Sequence, residues 1–384
     1  MENWKNFSQV DIPLESRAFL VGPNASGKSN LLDAFRFLHD LVRAGGGLAE
    51  AAGTRQGVGK LRCLAARQSP DVVIAAQMST AEEPGLWEYE LHLSEGERRR
   101  AVITRERVAH RGEDLWQRPN AEDEQDPERL TQTYLEQINV NKEFREIAEL
   151  FRSIRYLHLV PQLIRDPDRY TGRQNDPYGG DFLEQVAQAP QNTRAARLRR
   201  ILEVLRVAVP QLQELEFYRD EVRGTPHLRG KYRHWRPQGA WQNEDQFSDG
   251  TLRLLAVLWA ALEDSGPLLL EEPELSLHPG VVAQLPKMLA AMQHRAGRQV
   301  LISTHSEAIL RDESIGLNEV LLLIPEAEGT VVRVADSIRQ IVDLLNGGMS
   351  LPDAVMPDAG PPEVEQLSLF RTGQEATPAE PPLA

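Results

Sequence analysis

The sequence is poor in cysteine and in long apolar runs. Its 384 residues include a single cysteine, Cys63, which excludes an intramolecular disulfide framework and a metal site built from several cysteines. The longest apolar runs, such as residues 254–262, are shorter than the ~20 residues of a membrane-spanning helix. No basic start followed by an apolar stretch marks an export signal. We therefore expect a cytoplasmic protein without membrane attachment.

Lysine is also scarce, since only six of the 43 basic residues are lysine, and the net charge is −14. This acidic balance argues against a protein coated in nucleic acid. Basic segments remain at residues 98–107, 194–200 and 228–236, and the last also carries aromatic residues, as nucleic-acid surfaces often do. A solvated charged face is the simpler interpretation of each segment. DNA binding therefore stays open.

Residues 22–29, GPNASGKS, match the pattern G-x-x-x-x-G-K-[ST] of a phosphate-binding P-loop. Residues 18–21 before it have the apolar character of a buried strand, and residues 30–41 after it have a helical apolar period. A helix that begins near Lys28 would direct its positive N-terminal end at the phosphates. The residues predicted to surround ATP are Gly22, Asn24, Gly27, Lys28, Ser29 and Asn30.

Two apolar segments further along end in polar residues. Residues 268–274, LLLEEPE, predict a strand that delivers carboxylates to the edge of a sheet. We expect Ser29 to hold Mg²⁺ together with Glu271, which would act directly or through a bound water. We expect Glu272 to polarise the attacking water. A strand over residues 299–303 leads to His305, which we expect to sense the γ-phosphate.

The segment 247–251, FSDGT, places Ser248 and Gly250 at the start of a helix predicted over residues 251–263. Small residues at a helix N-terminus form an anion site. A helix of ~13 residues is about 20 Å long, so Ser248 would lie far from the chain's own P-loop. The γ-phosphate held by a second copy is then the natural ligand, although an ordinary N-cap explains the serine as well.

These motifs together resemble the AAA-family ATPases with an ABC-type head, the group that contains the RecF, SMC and OLD proteins. The resemblance covers roughly residues 1–325 and rests on Asn6-Phe7 and on the segments 22–30, 247–258, 271–279 and 303–306. It implies an α/β fold of the ABC-type P-loop NTPases, with a mixed sheet core, an antiparallel β subdomain and an inserted helical lobe. It also implies ATP and Mg²⁺ as ligands, an ATP-dependent homodimer, and a glutamine that links Mg²⁺ to the helical lobe. Gln162, after a strand predicted at 155–160, fits that last role.

Two departures distinguish the chain from transporter ATPases. The signature is Ser-Asp-Gly-Thr where transporters usually have Ser-Gly-Gly-Gln, and Glu271 stands where they have Asp. The Glu-Glu-Pro-Glu…Leu-His-Pro form at 271–279 is similar to the OLD-type branch. OLD-type proteins carry a nuclease domain after the ATPase, but we find no paired acidic constellation after His305, so another chain would have to cut DNA.

The expected organisation is an ATPase head at 1–334, short helices at 335–356 and a disordered tail at 357–384. Within the head we predict antiparallel strands over 71–110 and the helical lobe region over 111–246. A loop is predicted at 117–128 and helix over 182–215.

One apolar island interrupts the tail, which is rich in Pro, Glu and Ala and cannot build a core. Its residues Gln366, Leu367, Leu369 and Phe370 lie in a pentapeptide that resembles the segment by which polymerases and repair proteins dock on the DNA sliding clamp. Packing of the island back onto the head is the alternative.

The sequence therefore predicts a DNA-directed ATPase of repair, replication surveillance or phage defence. It would act with a nuclease or another effector encoded nearby. A slow nucleotide switch that scaffolds a partner and a transporter ATPase subunit are the alternatives.

Overall fold

The computed structural model describes residues 1–66, 71–80, 82–166, 175–235, 240–263 and 266–359. Its strands are β1 Glu2–Trp4, β2 Phe7–Gln9, β3 Arg17–Val21, β4 Val72–Met78, β5 Trp87–Glu95, β6 Ala101–His110, β7 Glu113–Arg118, β8 Arg155–Leu157, β9 Leu212–Arg219, β10 Pro226–Tyr232, β11 Ala240–Asn243, β12 Leu268–Glu271, β13 Val300–Thr304, β14 Val320–Glu326 and β15 Gly329–Val334. Its helices are α1 Lys28–Val42, α2 Leu48–Gly53, α3 Val58–Leu61, α4 Ala121–Gln125, α5 Arg145–Ser153, α6 Pro161–Ile164, α7 Phe182–Gln188, α8 Gln191–Ala208, α9 Asp249–Ala261, α10 Pro279–Val282, α11 Leu285–Ala296, α12 Glu307–Leu310, α13 Arg339–Asn346 and α14 Leu351–Ala359.

The central sheet has the strand order β15-β14-β3-β13-β12-β8. All of its pairings are parallel except that of β15 with β14. Every residue of β3, β12 and β13 is buried, as expected for parallel strands that are covered on both faces. The strands predicted over 18–21, 268–270 and 299–303 are therefore confirmed to within a residue or two.

The two faces of the central sheet pack into two separate apolar cores. Phe19 and Val21 of β3 belong to one core, together with α9 and the lobe helices. Ala18 and Leu20 belong to the other, together with α1 and the antiparallel sheet. Because successive side chains of a strand point to opposite faces, the sheet separates these layers.

The antiparallel sheet has the strand order β2-β1-β4-β5-β6-β7. In β5, Trp87, Tyr89, Leu91 and Leu93 are buried and alternate with partly exposed polar residues. This alternation is the pattern of a sheet with one face on a core. The strands predicted over 87–93 and 101–108 are confirmed, and the sheet extends beyond the predicted part because β1, β2 and β7 join it.

The region 111–246 contains sheet as well as helix. We predicted helix throughout 182–215, and the last part of that prediction is wrong, because β9 begins at Leu212 and pairs with β10, which pairs with β11. Pro210 separates the helix from the strand. Since proline disfavours a helical residue before it and offers no N–H, α8 ends at Ala208.

The loop predicted at 117–128 is also wrong. Strand β7 continues to Arg118, and α4 begins directly after Asn120. The Asn120 side chain accepts a hydrogen bond from the Asp123 N–H at 3.1 Å, and the Asp123 carboxylate accepts one from the Asn120 N–H at 2.9 Å. This capping box satisfies N–H groups at the start of the helix, which explains why a short acidic segment folds locally.

The strand predicted at 155–160 is shorter than expected, since β8 ends after three residues. Beyond it, the N–H groups of His158 and Val160 donate to the carbonyl oxygens of Pro177 and Tyr178 at 2.8 and 3.0 Å. The chain therefore stays extended but leaves the central sheet for another segment.

Helices α13 and α14 follow the head, and α14 packs against β14 and α12. Pro357, where the tail was predicted to start, lies inside α14, and the pentapeptide at 366–370 lies outside the described residues. Over the parts of the chain that the structure describes, no helix has the length and apolarity to cross a bilayer.

Candidate nucleotide-binding site

The predicted motifs meet at one edge of the central sheet. The P-loop follows β3, His305 follows β13, Glu271 ends β12, and Tyr156 lies in β8. These four strands are parallel neighbours in that order. Since their carboxyl ends point the same way, the sheet itself brings the motifs together, where α/β folds bind ligands.

The P-loop is tightly packed at its two glycines. A Cβ at Gly22 would lie 2.6 Å from the Leu323 carbonyl oxygen. Gly27 has a φ of +99°, and a Cβ there would lie 2.2 Å from Asn6 Nδ2. Only glycine combines this backbone conformation with such close approach. Asn24, in contrast, is exposed at the tip of the loop.

Helix α1 begins at Lys28, as predicted. Lys28 as a residue is 6 % exposed, and its ammonium donates to the carbonyl oxygens of Gly22 and Pro23 at 2.9 and 3.0 Å. Burial lowers the pKa of Lys28 to about 8, against the opposing effect of the acidic side chains of Glu272, Glu271 and Glu274. The loop thus holds a partly desolvated cation that a phosphate would stabilise.

Ser29 and Glu271 are in direct contact, because the Ser29 hydroxyl donates to Glu271 Oε1. The other carboxylate oxygen accepts a hydrogen bond from the Tyr156 hydroxyl, and His158 Nδ1 lies 3.7 Å from Oε1. A hydroxyl and a carboxylate side by side are the oxygen ligands that Mg²⁺ prefers, and in nucleotide sites the remaining ligands come from phosphate and water. The donor set therefore fits Mg²⁺.

Glu272 and His305 form the second pair of the site. Glu272 has a φ of +44°, which turns it out of the strand direction, and its Oε1 lies 3.1 Å from His305 Nε2. The hydrogen bond from His305 is the main cause that lowers the pKa of Glu272. Glu272 is thus ionised at neutral pH and partly exposed at the sheet edge.

Glu274 holds His305 in place from the other side. Its Oε1 accepts hydrogen bonds from the Thr304 hydroxyl at 2.6 Å and from the His305 N–H at 3.1 Å. Burial raises the pKa of Glu274. Glu274 therefore fixes the backbone that carries His305, while Glu272 contacts the imidazole.

The signature segment, residues 247–251, caps α9. Ser248 is exposed, and its hydroxyl oxygen accepts from the Thr251 N–H at 3.2 Å, while the helix behind it is buried from Thr251 to Ala261. A Cβ at Gly250 would lie 2.5 Å from the Ser276 carbonyl oxygen. A rigid helix thus presents an exposed N-terminal end built from small residues.

Gln162 lies next to the signature segment. Its amide donates to Asp249 Oδ2 at 3.4 Å, and Arg165 lies 2.5 Å from Asp249 Oδ1 and donates to the Phe247 carbonyl at 2.7 Å. The side chains that contact Glu271 are those of Ser29, Tyr156 and His158. The structure therefore connects Gln162 with α9, and its role as a metal ligand stays a prediction.

Asn30 is bonded to β1 and to the turn that follows it. Its Nδ2 donates to Asn6 Oδ1 at 2.8 Å, and its carbonyl oxygen accepts from Trp4 Nε1 at 2.8 Å. The Asn30 side chain thus fastens the loop to Asn6, and its contact with ATP stays a prediction.

Sequence reasoning missed Tyr156, His158 and Glu274 as members of the site. A signal for the first two was present, because β8 lies beside β12 and polar residues at the end of a parallel strand reach the same edge. Glu274 was part of a motif that we recognised, but its bond to Thr304 depends on the neighbouring strand.

Two of the three basic segments, residues 98–107 and 228–236, contain basic side chains that are paired with acidic neighbours. Arg229 contacts Glu216 at 3.0 Å and Lys231 contacts Glu214 at 2.7 Å, both across β9 and β10. Arg107 is likewise paired, since it lies 2.8 Å from a carboxylate oxygen of β5 and 2.6 Å from one of β7. These pairings favour the interpretation of these segments as solvated charged faces.

The P-loop on β3, the acidic strand β12, the segment after β13 and the capped helix α9 together have the arrangement of an ABC-type P-loop NTPase fold. A family model described as "AAA domain, putative AbiEii toxin, Type IV TA system" matches residues 17–311. The chain therefore belongs to this family of AAA domains. No curated protein matches the chain.

Among solved structures, the chain is similar to SMC heads. An SMC head bound to the C-terminal winged-helix domain of ScpA is 14 % identical with a TM-score of 0.45, over 86 % of this chain and 94 % of that one. The SMC head domain from Thermotoga maritima is 13 % identical with a TM-score of 0.41, over 87 % and 96 %. A Pyrococcus furiosus SMC head with an extended coiled coil, bound to the C-terminal domain of ScpA, is 13 % identical with a TM-score of 0.45, over 90 % and 98 %. These likenesses are too distant to indicate function.

Proposed function

We propose that the protein binds ATP with Mg²⁺ and hydrolyses the terminal phosphate. The observation that carries this proposal is the convergence of the Lys28 ammonium, the Ser29–Glu271 contact and the Glu272–His305 pair at one sheet edge. Each of these three features provides one requirement of phosphoryl transfer. They are, in order, a cation for the phosphates, oxygen ligands for a metal, and a group that orients water.

Lys28 and the P-loop N–H groups bind the phosphates, and Ser29 with Glu271 would hold Mg²⁺. When bound, the metal would neutralise charge that develops on the phosphate oxygens. Because its pKa is lowered, Glu272 is a weak base, so we assign it the orientation of the attacking water rather than early proton removal. His305 holds the Glu272 carboxylate and, in this proposal, responds to the γ-phosphate.

The test replaces Glu272 by glutamine, which keeps size and polarity but removes the charge. Glu272→Gln should keep ATP affinity and lose at least about a hundredfold in turnover, the range typical of positioned acid–base or orienting groups. Glu313→Gln, at an exposed position outside the site, is the matched control and should turn over ATP normally. Normal hydrolysis by Glu272→Gln would remove Glu272 from the mechanism.

A second part of the proposal is that two copies form an ATP-dependent homodimer. Support comes from α9, whose exposed N-terminal end is held on a buried helix and is available to a second molecule. Backbone N–H groups at such an end bind anions such as a γ-phosphate. Ser248 and Gly250 would contact the nucleotide of the other copy.

Light scattering of the Glu272→Gln variant tests this dimer. Adding ATP should double the mass, and Ser248→Arg should prevent the change through bulk and misplaced charge. Ser337→Arg introduces the same side chain at an exposed serine elsewhere and should leave the change intact. A monomer that binds ATP without change in mass would contradict the proposal.

We further propose that the ATPase serves a DNA-related process, as in the OLD-type branch, together with a partner protein. The Glu-Glu-Pro-Glu…Leu-His-Pro segment at 271–279 supports this branch. ATP turnover measured with and without DNA, and with the product of a neighbouring gene, tests it. Stimulation by DNA or by that partner supports the proposal, and slow turnover unaffected by either would favour a nucleotide-switch scaffold.

The tail pentapeptide supports docking on the sliding clamp through Gln366, Leu367, Leu369 and Phe370. A peptide of residues 360–376 should bind the clamp with about micromolar affinity, or roughly −8 kcal/mol. Replacing Leu369 and Phe370 by alanine removes two side chains worth ~1.5–3 kcal/mol each on burial, so binding should weaken well over tenfold. Equal binding of both peptides would refute docking.

A further inference from the structure

Asn6 lies in the turn between β1 and β2, behind the P-loop, and its side chain joins three segments. Its Nδ2 donates to the Ser26 carbonyl oxygen at 3.0 Å and to Thr330 Oγ1 at 2.8 Å. Its Oδ1 accepts from Asn30 Nδ2 at 2.8 Å. Because a carbonyl oxygen only accepts and an amide nitrogen only donates, the chemistry of these neighbours sets the orientation of the Asn6 amide.

Two glycines with left-handed backbone allow the chain to close around Asn6. A Cβ at Gly27, whose φ is +99°, would lie 2.2 Å from Asn6 Nδ2. A Cβ at Gly329, whose φ is +124°, would lie 2.6 Å from the Asn6 carbonyl oxygen, which also accepts from the Thr330 N–H at 2.8 Å. The P-loop and the start of β15 thus pack against Asn6 from two sides.

The bond to Ser26 determines which way the loop's N–H groups point. In a trans peptide the carbonyl oxygen and the following N–H project to opposite sides. With the Ser26 oxygen held by Asn6 at the back, the Gly27 N–H is directed to the front of the loop, where successive N–H groups form a concavity for phosphate.

The same turn is fastened to α1 by its neighbours. Trp4 Nε1 donates to the Asn30 carbonyl oxygen at 2.8 Å, and Lys5 Nζ lies 2.6 Å from Asp33 Oδ2. The β1–β2 turn of the antiparallel sheet is therefore bonded to the P-loop helix at two further points.

We infer that Asn6 is a positioning residue for phosphate binding, which acts on ATP through the Ser26–Gly27 peptide. This inference rests on the proposed function, since it assumes that the P-loop binds ATP. The role lies outside the nucleotide contacts themselves, because Asn6 touches the back of the loop.

The test compares two replacements of Asn6. Asn6→Asp keeps the shape of the side chain but sets a carboxylate oxygen against the Ser26 oxygen. This repulsion should weaken ATP binding by more than about tenfold, which corresponds to ~1.4 kcal/mol. Asn6→Ala removes the bond to Ser26 together with those to Thr330 and Asn30, without adding repulsion. Since only the bond to Ser26 holds the loop peptide, ATP binding should weaken about fivefold, within the usual range for one hydrogen bond. The dissociation constant of a fluorescent ATP analogue and the melting temperature without nucleotide are both measured.

Asn141→Ala is the matched control, because Asn141 is 2 % exposed and its Nδ2 donates to the Leu135 carbonyl oxygen at 2.8 Å, in the region after β7. It should lower the melting temperature and leave ATP affinity unchanged. Thr330→Val removes the other acceptor of Asn6 Nδ2 and should also leave affinity near that of the wild type. If Asn6→Asp does not fold, the ATP affinity of Asn6→Ala is compared with that of Asn141→Ala instead.

Three outcomes would overturn the inference, and the first of them would also refute the proposed function. A wild-type protein that does not bind ATP would refute both the proposed function and the role of Asn6. A wild-type protein that binds ATP, with Asn6 variants of equal affinity, would refute the role of Asn6 alone. Affinity losses in Asn6→Ala no larger than those in Asn141→Ala at matched melting temperature would do the same.

Discussion

Raising the pH should weaken ATP binding through Lys28. Burial lowers the pKa of its ammonium to about 8, whereas the phosphates of bound ATP favour the charged form. Binding near this pH must therefore be accompanied by proton uptake at Lys28. Below pH 7 the proton is already present, so the dependence should vanish there.

The size of the effect follows from the pKa of about 8. Lys28 is then protonated in about 90 % of free molecules at pH 7 and in about 10 % at pH 9. The apparent dissociation constant should rise about tenfold between these values. Unfolding does not explain such a loss. An unfolded lysine binds more protons between pH 8 and its ordinary pKa, so the contribution of Lys28 to stability rises with pH over that window.

Isothermal titration calorimetry at pH 7, 8 and 9 measures both quantities. Repeating the pH 8 titration in two buffers with different ionisation enthalpies gives the number of protons taken up, which should be about half. Lys28→Arg is the control, because a guanidinium stays charged over this range. It should bind more weakly and show a flat profile. Equal affinity at pH 7 and pH 9 in the wild type would refute the reasoning, as would the same slope in Lys28→Arg.

Three further substitutions, the last of them with a control variant, test other parts of the structure. Gly27→Ala should abolish measurable ATP binding at unchanged fold by circular dichroism, since the φ of +99° and the contact at 2.2 Å leave no room for a methyl group; normal binding would contradict this. Burial raises the pKa of Glu106 to about 7, so its contribution to stability is present below its ordinary pKa and is lost as the pH rises through 7. The free energy of urea unfolding of Glu106→Gln should accordingly rise relative to that of the wild type by ~2 kcal/mol between pH 5 and 8, and a constant difference would refute the assignment. Arg118→Ala should destabilise by ~3–5 kcal/mol, because the fully buried guanidinium lies 2.8 Å from a buried carboxylate, whereas Arg100→Ala at an exposed pair should change stability by less than ~1 kcal/mol. Equal effects in urea would mean that burial of the pair is unimportant.

The sequence predicted the parts of the fold that depend on local pattern. The P-loop, the strand before it and α1 were recognisable because strand, glycines and helical period follow one another directly. The same holds for β12, β13 and α9. Their parallel alignment at one edge then follows from the topology of such folds.

What could not be predicted depends on residues that are distant in the sequence. Glu274 bonds to Thr304 across neighbouring strands, and Asn6 bonds to Thr330 at the other end of the head. The local sequence around Glu274 and around Asn6 does not predict which distant residue each one bonds to. Strand β9 was taken for helix because its short alternation follows a helix directly, and its pairing with β10 decides its conformation.

Each of the two apolar cores on either side of β3 contains a buried tryptophan, whose fluorescence can report on that core alone. Trp259 lies in the core with Phe19, and Trp4 lies in the core with Leu20, each at most 1 % exposed. With the other tryptophans replaced by phenylalanine, the fluorescence of each would follow the hydration of one layer only. The change in fluorescence on heating or on adding denaturant would then show which core is hydrated first. Adding ATP to the folded protein would show which of the two cores the nucleotide protects from hydration.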